Sequence, residues 1–510
     1  ARISSNFLDG AMTELADNDT ATHLTVDPPS SVRRKWIQYE FAAPVSVSAV
    51  SVSLGPPGSA VNVRYSDDGR SFTMLDRLVL GAAGQTTQAV TAGTARFFRF
   101  YIAHHRAAPT WGDRAPGAST DTLQELLAGD AQQQLLILRD LTLWPRPRVH
   151  RFEQKAGFDL AQDYGALSLP QEKASASGVP ATQVIDLSDR LGEDGSLDWE
   201  IPPGEWEVLR LGYSLTGAVN HAAPAGATGL EVDKLDAGHV RNYLQRYLGE
   251  YRRTAEGSAR TDLPIDALFV DSYEVGAQNG SEQLLAEFAR RRGYDPTPWL
   301  PALTGVVVQD SASSDRFLWD FRRTIGESLC DNHYATLASV AREHDLTLYS
   351  EGFEHGRPAL GDDLDCRRFA DVPSAALWTF TPGAAAPDNY VADILGAASV
   401  AHFYAREQVA VELFTSALSP WAHSPRTLQP VADLAFALGM TRPLIHTSVH
   451  QPLDAPGPGL SLSIFGQDFN RHASWAPLAT SWTDYLARTA YLLQQGTNVT
   501  DIALFYGQDA

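Results

Sequence analysis

The chain has 510 residues, 44% of them hydrophobic, and a net charge of −21 from 40 Lys and Arg against 61 Asp and Glu. That length calls for two or three domains, and the acidic balance argues against a nucleic-acid or anionic-membrane partner. No apolar run approaches the roughly eighteen residues of a membrane span, so none is expected.

Residues 1–147 read as all-β. Short alternating runs, WIQYEF at 36–41, VSVSAVSVSL at 45–54, VNVRYS at 61–66 and FFRFYI at 97–102, are separated by Gly, Pro, Asp and Ser. SDDGRSF at 66–72 predicts a hairpin turn, with Asp68 and Gly69 supplying the positions that need positive φ. The W-x-x-x-x-F strand, the Y-S-D-D-G turn and the late R-F-F-R-F strand resemble a discoidin-like or galactose-binding-like jelly roll. Such a β-sandwich binds sugar in some proteins and braces a catalytic domain in others. The polar stretch 103–132 reads as an inserted loop. Residues 148–205 read as a smaller β-rich segment, with Pro202-Pro203-Gly204 turning between Trp199 and Trp206.

From residue 206 to 510 strand and helix alternate. VLRLGYSLTG, 208–217, is expected to be the first buried strand. Helix 237–253, strand 267–273, a helix ending at Gly293 as C-cap, a long helix from Ser314 and strand 346–350 follow. Then come strands near 375–380 and 409–414, PLIHTSVH at 443–450, and DIALFY at 501–506, with helices between them. The alternation predicts a parallel α/β fold. Six or seven strands fall short of a closed (β/α)₈ TIM-type barrel, so the barrel is expected to be incomplete in this chain and to lack its first strand or strands. No signal peptide opens the sequence, and ARISSNFLDG reads like the middle of a longer chain. Cys330 and Cys366 permit one disulfide but do not require it, and two free thiols are expected.

The chemistry concentrates where apolar runs break into carboxylates. Ala267–Val270 leads to Asp271 and Glu274, Leu346–Tyr349 to Glu351, and Val409–Val411 to Glu412. Buried parallel strands read as such runs, and αβ barrels place their chemistry at the carboxyl ends of strands. A lone D-x-x-E is more often a cap or a solvated loop; Glu412 is harder to dismiss, because it interrupts an apolar run and a buried carboxylate needs a partner or a role. Two carboxyls facing one pocket are what a glycosidase uses.

The motifs GLEVDK (229–234), VDSYEVG (270–276), EFARRRGYDPTPWLPALTG (287–305), VAVELFT (409–415), FALGMTRPLIHTSVHQP (436–452), GQDFNRHASW (466–475) and YLARTAYLLQQG (485–496) run in order over roughly residues 180–507. In them the chain resembles the glycoside hydrolase family 106 α-L-rhamnosidases, whose members are usually longer. The resemblance implies a calcium-dependent, inverting hydrolase that removes terminal α-L-rhamnose from plant glycosides or polysaccharides. It implies Glu274 as general acid, Glu412 as general base and Asp271 as an acidic neighbour tied to activity. Asp271 would raise the pKa of Glu274 in the direction an acid needs. A periplasmic or secreted location is expected, and the calcium ligands are not legible, since no contiguous loop supplies them. One departure stands out: relatives carry Glu where this chain has Ala376, close to Trp378.

Further residues are candidates for substrate binding. Glu351 reads as a sugar or calcium ligand. Glu354 and His355 read as solvated. His446 and His450 would face one side of a strand and bond sugar hydroxyls rather than zinc. Asn470 and Arg471, with His472, form a polar cluster that either binds substrate or brackets the fold. Trp378 and Trp475 either stack on sugar or fill the barrel mouth. Two other classes remain: a retaining, β-galactosidase-like barrel enzyme, with carboxyls about 5–5.5 Å apart rather than about 6.5–9.5 Å, and a non-catalytic carbohydrate-binding protein.

Overall fold

The computed structural model describes residues 1–103 and 135–505, except 11, 18, 28–31, 33, 56–57, 82, 162–163, 169–175, 221–222, 257–264, 354–359, 381–382, 417–421, 455–458, 463–464 and 468. Seven strands form one antiparallel sheet: β1 (Arg2–Ser5), β2 (Leu24–Val26), β3 (Lys35–Gly55), β4 (Ala60–Ser66), β5 (Thr73–Val79), β6 (Gln85–Ala103) and β7 (Leu136–Trp144). Their order is β2-β7-β3-β6-β4-β5, with β1 also on β3. The runs expected as two strands at 36–41 and 45–54 are one strand, β3. Register shifts against β6 at Glu40/Val45 and Val47/Ala49 bend it without ending it. One face buries Ile37, Tyr39, Val61, Val63, Phe98 and Phe100. At the predicted turn only Gly69 takes positive φ, +70°. Asp68 serves differently, its Oδ1 accepting the amides of Arg70 and Ser71 at 2.8 and 2.9 Å. The expected inserted loop lies almost wholly outside the described residues.

A short helix, α1 (Phe152–Lys155), ties this sheet to the rest. Its buried Glu153 accepts the Thr87 amide at 3.0 Å and the Thr87 hydroxyl at 2.7 Å. Lys155 pairs with Asp315 at 2.7 Å, and its carbonyl accepts from Arg322 at 2.8 Å. Among the described residues, 145–236 contain no sheet strand, only short helical turns and isolated bridges such as Val179 to Val308.

The second half alternates as expected: α2 (Ala237–Glu256), β8 (Ala267–Val270), α3 (Leu284–Arg292), α4 (Ser311–Ser328), α5 (Ala335–Glu343), β9 (Thr347–Ser350), α6 (Asp363–Arg367), β10 (Val372–Trp378), α7 (Asp388–Phe403), β11 (Ala410–Thr415), α8 (Pro425–Leu438), β12 (Arg442–Ile445) and α9 (Ala479–Leu493). Gly293 caps α3 in the left-handed conformation. Strands β8 to β12 pair in parallel in sequence order, a half-barrel arc. Each neighbour is reached through a helix, so the helices pack on the outer face, where Ala397, Val431, Ala435 and Trp482 cover Val411 and Leu413.

The β-rich segment expected at 148–205 is not one among the described residues, and three further expectations fail. Residues 208–217 and 501–505 are extended but form no strand, and Val208, Leu211, Tyr213, Leu215, Ile502, Leu504 and Phe505 are exposed. Their alternation has the period of a strand, but a strand also needs a neighbour to complete its ladder, and the described residues offer none. The third is the thiols: Cys330 and Cys366 form a disulfide. A turn of π-helix between α4 and α5 presents Cys330 to α6, a proximity that a separation of 36 residues does not reveal.

Candidate active site

The register of the parallel sheet decides which carboxylates meet. Val270 lies beside Ser350, and the Glu351 amide donates to the Val270 carbonyl at 3.0 Å, so Asp271 and Glu351 leave the sheet together. Glu412, inside β11, sits between Ala376 of β10 and Leu444 of β12. One oxygen each from Asp271, Glu351 and Glu412 lies within 4.8 Å of the others.

Glu351 is the buried member, and its Oε1 has no hydrogen-bond partner. Burial first, then the negative charges of Asp271, Glu412 and Asp393, hold its pKa well above the ordinary carboxylate value; Arg367 opposes them. Arg367 is fully buried. Its Nε lies 2.8 Å from Asp363 Oδ2, and it also pairs with Asp393 and donates to the Ser374 carbonyl. Asp393 Oδ2 in turn accepts the Ala376 amide at 2.8 Å, and Asp363 Oδ1 accepts the Phe353 amide at 2.7 Å. Gly352 packs against this group so closely that a Cβ there would collide with the Asp363 carboxylate and lie 3.0 Å from Arg367 Nε. The ends of β9 and β10 are thereby fixed by one buried ionic network.

Glu412 is half-buried, and its Oε1 accepts the Thr415 hydroxyl at 2.7 Å. In a regular strand residues three apart point to opposite faces. Here Leu377 pairs with Leu413 and Trp378 with Thr415, so Phe414 is an extra residue, a bulge, with φ +76°. Thr415 thereby returns to the face of Glu412. Its hydroxyl also lies 3.1 Å from Nδ1 of His446, the residue after β12.

Among the other predicted residues, Glu274 lies exposed on the β8 loop that also carries Asp271, accepting the Ser272 hydroxyl at 2.7 Å. Trp378 ends β10 among aromatic rings, stacked on Tyr390 at 6.3 Å and edge-on to Phe465 at 5.9 Å. His450 does not share a strand with His446: β12 stops at Ile445, so alternation does not carry to 450, which is exposed. Asn470 Oδ1 accepts the His472 amide at 2.8 Å, while its Nδ2 is buried without a partner. Arg471 points to the 451–454 loop, bonding Asp454 at 2.8 Å and two backbone carbonyls. Trp475 packs on Phe469 beside the outer core. Glu354 and His355 lie outside the described residues. The sequence reading missed Thr415, Arg367 and Asp393. VAVELFT contains Thr415, but an odd spacing from Glu412 speaks against a shared face, and DDLDCRRFA reads as a solvated loop.

Oxygen-only donors, three carboxylates at close quarters and a buried orphan oxygen fit a hard divalent cation of the Ca²⁺ class. Strand-end carboxylates on a parallel sheet are also the frame of barrel glycosidases. The family model for alpha-L-rhamnosidase, glycoside hydrolase family 106, matches residues 23–510. The chain belongs to that family. A solved rhamnosidase from Novosphingobium sp. PP1Y is 41% identical and superposes with a TM-score of 0.85, covering 98% of this chain and 45% of that one. A curated relative from Formosa agariphila, described as a putative beta-glucuronidase, is 35% identical over 346 residues, 67% of this chain and 28% of its own length. The chain thus spans less than half the length of either relative.

Proposed function

We propose that this family 106 chain carries the active site of an inverting glycoside hydrolase that releases terminal α-L-rhamnose from plant glycosides or polysaccharides. The convergence of Asp271 and Glu351, just past β8 and β9, with Glu412 inside β11 carries the reading. Glu274 protonates the glycosidic oxygen as the bond to the leaving group breaks. Glu412 takes a proton from a water that attacks the anomeric carbon from the opposite face, and the sugar leaves with inverted configuration. Asp271 and Glu351 would hold a calcium ion, with Glu412 within reach; the ion would neutralise the cluster and bind sugar hydroxyls. Trp378, His446, His450, Asn470 and Arg471 are the proposed substrate-binding residues. Within the same reading the half-barrel arc belongs to a (β/α)₈ fold, the antiparallel sheet is a jelly-roll module, and the enzyme acts in the periplasm or outside the cell.

The name of the Formosa relative raises a second substrate, a β-glucuronide. A uronate brings its own carboxylate, and three acidic side chains carry more charge than one divalent ion offsets, so the cluster would still repel it. Rhamnose is neutral and suits the site better. Full-length protein assayed on aryl α-L-rhamnoside and aryl β-D-glucuronide, with and without chelator, tests this. Turnover of the rhamnoside alone, lost on chelation and restored by Ca²⁺, is expected. Turnover of the glucuronide alone would overturn the substrate, and full activity after exhaustive chelation would remove the metal.

A further inference from the structure

The bulge in β11 does more than bend a strand. A bulky residue at φ +76° holds unfavourable backbone. Phe414 offsets it by packing its fully buried ring on Phe469 and Trp482, at centroid distances of 5.8 and 6.0 Å. The structure therefore maintains the strain rather than relaxing it, and the local result is the placement of Thr415.

The hydrogen bonds around Thr415 have one consistent polarity. An ionised Glu412 only accepts, so the Thr415 proton goes to Glu412 Oε1 at 2.7 Å. The 3.1 Å contact to His446 must then be donated by the ring, Nδ1–H to Thr415 Oγ1. A neutral His446 is thereby fixed as the Nδ1–H tautomer, and its Nε2 is left as an acceptor. The direct separation of His446 Nδ1 from Glu412 Oε1 is 3.9 Å, too long for a hydrogen bond, so the hydroxyl is the link.

We propose that Thr415 is a positioning residue for hydrolysis. Placed by the Phe414 bulge, its hydroxyl fixes the Glu412 carboxylate for attack by water and sets the tautomer in which His446 meets the sugar. The inference rests on Glu412 being the general base. It concerns the water-activating half of the reaction, so its loss slows all leaving groups alike.

The test uses full-length protein with T415V, which keeps the shape and removes the hydroxyl, and T415S, which keeps the hydroxyl. T415V should lower kcat about 10–100-fold, the value of a hydrogen bond to a charged group. KM should stay within about twofold, and the loss should be equal for aryl and alkyl rhamnosides. T415S should recover most of the rate, and the melting temperatures of both should match the parent. Folded T415V at parental kcat, or T415S as slow as T415V, would overturn the proposal. If T415V fails to fold, T415A is read by the same criteria. E412Q separates the two layers: an active E412Q removes the base assignment and this proposal with it. An inactive E412Q beside a fully active T415V removes the proposal alone.

Discussion

Two buried glutamates, one in each half of the molecule, make a controlled pair. Glu153 is 3% exposed and Glu351 is 2% exposed. Burial raises the pKa of both. Glu153, on the helix that docks to the antiparallel sheet, accepts from the Thr87 amide and hydroxyl. Glu351, at the end of a parallel strand, has an orphan oxygen and two other carboxylates for neighbours. Depth is the same and satisfaction is opposite. A buried acid answered by the protein's own donors belongs to the scaffold; one left unanswered among like charges is kept for something the chain does not supply.

The largest effects should come from the proposed acid and base. Glu412→Gln should reduce kcat by about 10²–10⁴-fold on every substrate, and Glu274→Gln should do so for poor leaving groups while sparing good ones. Steady-state kinetics on rhamnosides of graded leaving-group pKa reads both. A Glu274→Gln loss independent of the leaving group would mean that Glu274 is not the acid.

Next comes the pair itself. Glu153→Gln puts an NH₂ donor against donors and should cost about 1–3 kcal/mol of stability. Glu351→Gln relieves like charge, so the metal-free protein should be no less stable, while stabilisation by added Ca²⁺ should vanish. Thermal melts with and without Ca²⁺ would contradict the contrast if both variants fell equally and both still answered the ion.

The smallest effects are in pH. Glu351 has a folded pKa above its unfolded value, so its contribution is fully present below the unfolded pKa and is lost as pH rises through the folded one. Metal-free protein should soften along that rise, and bound Ca²⁺ should remove the slope. Asp68 on the antiparallel sheet has the opposite sign. Its pKa is lowered to about 2, first by the Ser71 and Arg70 amides, so its contribution is present above the unfolded pKa and fades as pH falls toward 2. Amide exchange of Ser71 against pH, in Asp68→Asn and parent, should show it. Equal slopes in the two proteins would count against it.

The sequence made one half of this contrast legible. Apolar runs that break into Asp271, Glu351 and Glu412 announce parallel strands that carry charge into one site, although β8 stays open on one side, with Phe269 exposed. It could not announce the bulge, since no glycine marks Phe414, nor the fate of Arg367, which sits in the charged, loop-like stretch GDDLDCRRFA. It overread 208–217 and 501–505, where period two is present and, among the described residues, a pairing neighbour is not. The disulfide was hidden for a related reason: it depends on how a helix turn faces α6, which no spacing encodes.

The ionic network below the site also sets the limits of portability. Arg367 answers Asp363 on its own helix, Asp393 on α7 and a carbonyl of β10, while Asp363 holds the backbone just past β9. Moving Glu351 into another scaffold would strand its surroundings unless everything from β9 through α7 travelled too. That block, about a tenth of the chain, is the smallest cassette a designer could graft, and Gly352 is a position within it where an added Cβ would collide with the Asp363 carboxylate.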